Sequence, residues 1–139
     1  MDEKITNLNG KVIIALSRSL RTIHQNSALL FRRNHLTMSQ FAVLEALLHK
    51  GAMTIGGLIA AVLSSSGNMT VVIRNLEKQG FIKRIKDPED NRSFLIELTE
   101  SGRILIEKVF KRHMELVEEA LLPLGREEKE TVIRILKKL

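Results

Sequence analysis

The chain has no cysteine, no tryptophan and no tyrosine, and only 2 prolines among its 139 residues. Without cysteine, disulfides, thiolate-bound zinc and thiol redox switching are excluded. Aromatic residues make up 4%, all of them phenylalanine, too few for the stacking platforms that hold single-stranded nucleic acids. Apolar runs fall far short of the ~20 residues of a membrane span, and the N-terminus carries no secretory signal pattern, so a cytoplasmic protein without a membrane partner is expected. Acid is missing locally: between Ile5 and Leu44 there is none, while Lys11, Arg18, Arg21, Arg32 and Arg33 occur.

Apolar residues account for 44% of the sequence, enough for a core, and the length suits one domain, or one domain with an appended dimerisation arm. An aliphatic, aromatic-poor composition suits packed helices better than a β-sandwich. The net charge of +6 favours a polyanionic partner. Its distribution is more telling than its total. From Ser64 to Lys86, Arg74, Lys78, Lys83, Arg84 and Lys86 stand against one acid, Glu77.

Spacings of three and four place Ile5, Leu8, Val12, Leu16, Leu20 and Ile23 on one stripe of a long helix reaching about Asn34. Thr37 or Ser39 is the next N-cap, for a helix to about Lys50 with Phe41, Leu44, Leu47 and Leu48 inward and Gly51 as its stop. Thr54 caps a short helix over Ile55–Leu63, whose first turn is weakened by Gly56 and Gly57. Ser64-Ser65-Ser66 reads as a turn, and a further helix runs from about Ser66 to Gln79 with Gly80 as its left-handed stop. Two strand-like runs follow, Phe81–Ile85 and Phe94–Leu98, around a polar tip with Pro88, Asp90, Asn91 and Arg92. Thr99 caps a helix of about 22 residues, roughly 33 Å long, and a last helix spans about Arg126–Leu139 with Val132, Ile133, Ile135, Leu136 and Leu139. Helix, charged β-hairpin, helix is the outline of a winged helix-turn-helix. The expected fold is mainly α with a small β-wing.

On the helix beginning at Ser66, Met69, Val72, Ile73 and Leu76 keep core spacing. The opposite surface carries Ser66, Gly67, Asn68, Thr70, Val71, Arg74, Asn75 and Lys78, small and polar near the N-terminus, which lets a helix enter a major groove. There Asn68 can pair with an adenine edge, Thr70 or Val71 can touch a thymine methyl, and Arg74 can reach a guanine or a phosphate. At the hairpin tip, Arg92 has the chemistry for a narrow, electronegative minor groove. Asp90, two residues earlier, is expected to accept a charge-assisted hydrogen bond that holds the guanidinium.

The sequence resembles the MarR (multiple antibiotic resistance regulator) family of bacterial winged-helix repressors. The matching residues are Leu36-Thr37, Gln40-Phe41 and Val43-Leu44, then Leu76 to Arg84. The most specific are Asp87-Pro88-Glu89-Asp90-Asn91-Arg92 and Leu98-Thr99-Glu100-Ser101-Gly102. The resemblance implies a homodimer with interlocking N- and C-terminal helices: a dimerisation helix over 1–35, a winged DNA-binding lobe over 36–99 and dimerisation helices over 100–139. It makes Ser66–Arg74 the base-reading segment, Arg92 the wing arginine and Asp90 its orienting partner. It implies a double-stranded, inverted-repeat operator with half-sites about 10–10.5 bp apart, and a small aromatic or anionic effector. Asn91 stands where the family usually has another arginine, and Gly56-Gly57 replace a common polar pair.

No cofactor, metal site or catalytic constellation is expected. His24 and His35 would share a helix face but lie about 16 Å apart, too far to hold one ion. Glu45 and His49 are four residues apart, and a histidine near a helix C-terminus is favourable without a metal. The Ser64–Ser66 run has no nucleophile elbow or nearby histidine, and Gly56-Gly57 lacks the spacing of a phosphate loop. A competing reading is a winged-helix module that binds an acidic protein partner through the same basic surface.

Overall fold

A computed structural model describes residues 7–62 and 66–139, with Ser66 and Gly67 as backbone only. Among the described residues six helices and one hairpin follow in order: α1 (Leu8–Arg33), α2 (Met38–Lys50), α3 (Ile55–Val62), α4 (Ser66–Lys78), β1 (Ile82–Lys86), β2 (Phe94–Leu98), α5 (Glu100–Leu121) and α6 (Arg126–Leu136). The fold is mainly helical with a two-stranded wing, as the sequence leads one to expect. Ile5 of the apolar stripe and the expected turn at Ser64 and Ser65 lie outside the described residues.

Local chemistry sets the boundaries. Thr37 caps α2: its hydroxyl accepts from the Gln40 N–H at 3.1 Å, and the Gln40 side chain accepts from the Thr37 N–H at 2.9 Å. This reciprocal box explains why Gln40, a polar residue, is buried. Thr54 caps α3, accepting from Gly57 N–H at 3.0 Å, and the glycine pair does not interrupt that helix. At the end of α4, Gly80 has φ of 78°, a left-handed conformation open to glycine without penalty. Its N–H and that of Phe81 return to the carbonyls of Glu77 and Leu76, each at 3.0 Å. α1 ends without glycine. His35 takes the left-handed conformation itself, at φ 56°, so His24 and His35 do not share one continuous helix.

The chain divides into two compact units. In Ala28–Arg112, an apolar core gathers Phe31, Leu36, Phe41, Val43, Leu44, Leu47, Leu58, Met69, Val72, Ile73, Leu76, Ile82, Ile96, Ile106 and Val109. Phe31 stacks on Phe41 with ring centroids 4.3 Å apart. β1 and β2 pair antiparallel, with Ile82 opposite Leu98 and Arg84 opposite Ile96. Met53, between α2 and α3, adds a one-residue bridge to Ile96 through two backbone hydrogen bonds of 3.0 and 2.7 Å. The wing is thereby tied to the helices at its buried end.

The other unit comprises 7–27 and His113–Leu139. Inside it, Ser27 is fully buried and shares a 2.7 Å hydrogen bond with His113 Nδ1. Much of its apolar surface is uncovered: Leu8, Val12, Ile13 and Leu20 on α1 and Val132, Ile133, Ile135 and Leu136 on α6 are all exposed. No residue of α6 is buried.

Candidate nucleic-acid interface

α4 separates two faces cleanly. Met69, Val72, Ile73 and Leu76 are buried against the core, while Asn68, Thr70, Val71, Arg74, Asn75 and Lys78 point outward. Val71 keeps 50% of its surface exposed, an aliphatic side chain with no place in the core. Ser66 and Gly67 form the first residues of this helix. Among the described residues no carboxylate pairs with Arg74 or Lys78. The one acid of α4, Glu77, is engaged by Arg84 of β1 at 3.2 Å.

The wing tip is built from side-chain caps on backbone N–H groups. Asp87 Oδ1 accepts from the Glu89 N–H and Asp90 Oδ1 from the Arg92 N–H, both at 3.0 Å. The second Asp90 oxygen accepts from the Ser93 hydroxyl at 3.3 Å, and the Ser93 N–H returns to the Asp90 carbonyl at 3.0 Å. Asp90 therefore shapes the turn that carries Arg92, and the expected charge-assisted bond to the guanidinium is not among its described contacts. The reason is geometric: at two residues' separation an aspartate oxygen is already within reach of the backbone N–H, a common turn motif. The guanidinium is exposed, and among the described residues it belongs to no ion pair. Asn91 is exposed beside it.

A junction under the wing fixes where β1 and α5 begin. Thr99 and Ser101 hydroxyls both donate to the Gly80 carbonyl, at 2.6 and 3.0 Å, and the Gly102 N–H donates to Thr99 Oγ1 at 3.1 Å. Gly102 is buried against Phe81. A Cβ there would sit 1.9 Å from the Phe81 carbonyl oxygen, so only glycine fits. These contacts give a physical reason for the Leu-Thr-x-x-Gly stretch that the sequence carries after the wing.

Among the described residues no three histidine or carboxylate side chains could hold a metal ion. His49 Nδ1 donates to the Glu45 backbone carbonyl at 2.9 Å, not to its carboxylate, and the ring meets Phe110 edge-on at 4.7 Å. No described helix is long and apolar enough to cross a membrane.

Comparison with known proteins gives one answer. The family model described as MarR family matches residues 36–94. The HTH-type transcriptional regulator MhqR of Bacillus subtilis is 31% identical, across 97% of this chain and 93% of that protein. A probable transcriptional regulator from Pseudomonas aeruginosa superposes with a TM-score of 0.70 at 32% identity, covering 86% of this chain and 92% of its own. BpsR of Bordetella bronchiseptica, whose DNA binding is regulated by 6-hydroxynicotinic acid, has a TM-score of 0.82 at 22% identity, over 99% of this chain and 96% of its own.

Proposed function

This chain belongs to the MarR family of DNA-binding transcriptional regulators, and from that premise we propose that it acts as a homodimeric repressor of an inverted-repeat operator. It is a regulator and not an enzyme. In each protomer Ser66, Gly67, Asn68, Thr70, Val71 and Arg74 read the major groove from α4, and Arg92 enters the adjacent minor groove on a turn shaped by Asp90. The observation that carries this reading is the division of α4: its core spacing is consumed by Met69, Val72, Ile73 and Leu76, leaving a small, mostly polar outward surface on which no described carboxylate pairs with Arg74. Such a surface suits base edges, whereas a solvated face stabilised by its own ion pairs would carry acids among its cations.

Dimerisation is proposed from the uncovered apolar residues of α1 and α6. Leu8 is 73% and Ile133 54% exposed, and so many large apolar side chains left in water on two helices suit an interaction site. A second copy satisfies it and supplies the twofold symmetry that an inverted repeat requires. We place residues 1–35 and 100–139 in this role, around the winged lobe of 36–99. Occupying an operator excludes polymerase, which makes repression the simplest outcome. By similarity to BpsR, the effector that releases the DNA is a small aromatic or anionic molecule. Work on chromosomal DNA places the protein in the cytoplasm.

The test begins with duplexes selected from a randomised pool by the full-length protein. Fluorescence anisotropy on the tightest duplex and on a scrambled one, at two salt concentrations, is expected to show selective binding that weakens steeply with salt. Sedimentation is expected to give a dimer, and deletion of residues 126–139 monomers or aggregates. Failure to enrich any duplex, with no retention on heparin, would favour binding of an acidic protein instead.

A further inference from the structure

Glu77 is the single acid in the stretch from Ser64 to Lys86, on the helix proposed to enter DNA. A carboxylate beside a polyanion is unfavourable unless it is occupied by something else. In this fold it is occupied by Arg84, whose Nε donates to both carboxylate oxygens, at 3.2 Å and 3.5 Å. The register of the wing shows which way Arg84 faces. It stands opposite Ile96, on the same side of the hairpin as the buried Ile82, and not with Lys83, which pairs across the opposite face with Glu97 at 3.3 Å. Arg84 is thus turned toward the helices, and its head group reaches the last turn of α4.

Between the two partners the chain passes through Gln79, Gly80 and Phe81, with Gly80 in the left-handed conformation. The backbone bonds of that turn and the Met53 bridge hold the buried end of the wing. The Glu77–Arg84 pair lies beyond the turn, level with the Met53 bridge because Arg84 stands opposite Ile96, and it adds a side-chain tie from β1 directly to α4. We propose that it is a positioning pair: it sets the angle between the helix that reads the major groove and the wing that carries Arg92, so that both contacts are made in one register. Both side chains are partly exposed, at 38% and 40%, so the pair adds little to global stability. Its effect falls on the orientation of two reading elements. This inference rests on the DNA-reading function proposed above.

The test exploits opposite signs. Electrostatics alone makes Glu77→Gln bind every duplex more tightly, because a negative charge leaves the helix proposed to enter DNA. Positioning makes it bind the selected duplex less well relative to a scrambled one. The full-length wild type, Glu77→Gln, Arg84→Gln and the charge swap Glu77→Arg with Arg84→Glu are compared by anisotropy on both duplexes across a salt series. The melting temperature of each is recorded to confirm that it folds. The expected result is a loss of selectivity of about two- to fivefold in each single variant, the range of an exposed ion pair, with recovery in the swap. An unchanged selectivity ratio in Glu77→Gln would overturn the proposal. So would a salt slope lowered by about one in Arg84→Gln, the signature of a direct phosphate contact. If the wild type itself does not discriminate between duplexes, the DNA-reading function fails and the pair loses its proposed role with it. If the swap does not fold, the single variants still decide through the sign of the Glu77→Gln effect.

Discussion

The Thr99 hydroxyl donates to the Gly80 carbonyl across 2.6 Å, joining the cap of α5 to the glycine stop that follows α4. One side chain does two things there, since the same oxygen accepts from the Gly102 N–H. Thr99→Val keeps the shape and removes both bonds, and is expected to cost about 1–2 kcal/mol, a typical cap loss. Thr99→Ser should remain within about 0.5 kcal/mol of wild type. Urea unfolding of the two variants separates shape from hydrogen bonding; equal stability of both with wild type would count against the cap.

Gly102 tests the same junction by volume. The atom 1.9 Å from a new Cβ is the backbone carbonyl of Phe81, which cannot rotate away as a side-chain end could. Gly102→Ala therefore has to push β1 and α5 apart. Elsewhere in a helix the change would stabilise, because alanine is the better helix former. Here a loss of about 1–3 kcal/mol is expected, as for other overpacked sites, and a raised melting temperature would show the junction to be looser than described.

Much of this architecture is legible in the sequence because it is set by neighbours. The core spacing of Met69, Val72, Ile73 and Leu76, the Thr37 cap and the glycine stop at Gly80 each involve residues within a few positions of one another. What is not legible depends on distant partners. Ser27 meets His113 from 86 positions away, and Met53 pairs with Ile96 through backbone atoms that no side-chain pattern reports. The end of α1 is read to within a residue, about Asn34 against Arg33, but the conformation that closes it is not: His35 adopts a positive φ without being glycine, so no residue type announces it. Asp90 is the instructive case at the site. Charge complementarity points to the Arg92 guanidinium, yet the nearer N–H of the same residue takes the bond.

The two faces of α4 predict opposite outcomes for neighbouring substitutions. Met69 is fully buried, so Met69→Lys places a charge in the core with no partner and is expected to cost about 4 kcal/mol or more. Val71, two residues on, is half exposed, and Val71→Glu should leave the melt within about 0.5 kcal/mol of wild type. On DNA the order reverses in interest: the stable Val71→Glu protein is expected to lose at least about fivefold in affinity for its selected duplex, through a lost methyl contact and an added negative charge. Circular dichroism and anisotropy on the same preparations decide it. A Val71→Glu protein that binds as wild type would move the reading face away from this side of the helix.

Arg92 and Asp90 can be tested apart because their hydrogen bonds are now distinguished. Arg92→Ala removes an exposed, unpaired guanidinium from the tip and is expected to weaken binding by about 1–2 kcal/mol, roughly five- to thirtyfold, and to relax any preference for A/T-rich flanks. Arg92→Lys keeps the charge but not the planar fork, so it should recover affinity more than flank preference. Asp90→Asn retains a side-chain oxygen able to accept from the Arg92 N–H, while Asp90→Ala removes it. If Asp90 acts by shaping the turn, Asn is expected to bind DNA nearly as wild type and Ala to lose affinity. If it acts instead by holding the guanidinium through charge, Asn and Ala would fall together. Anisotropy of these four variants on the selected duplex at matched salt separates the two, and an Arg92→Ala protein with unchanged affinity would remove the wing from the interface altogether.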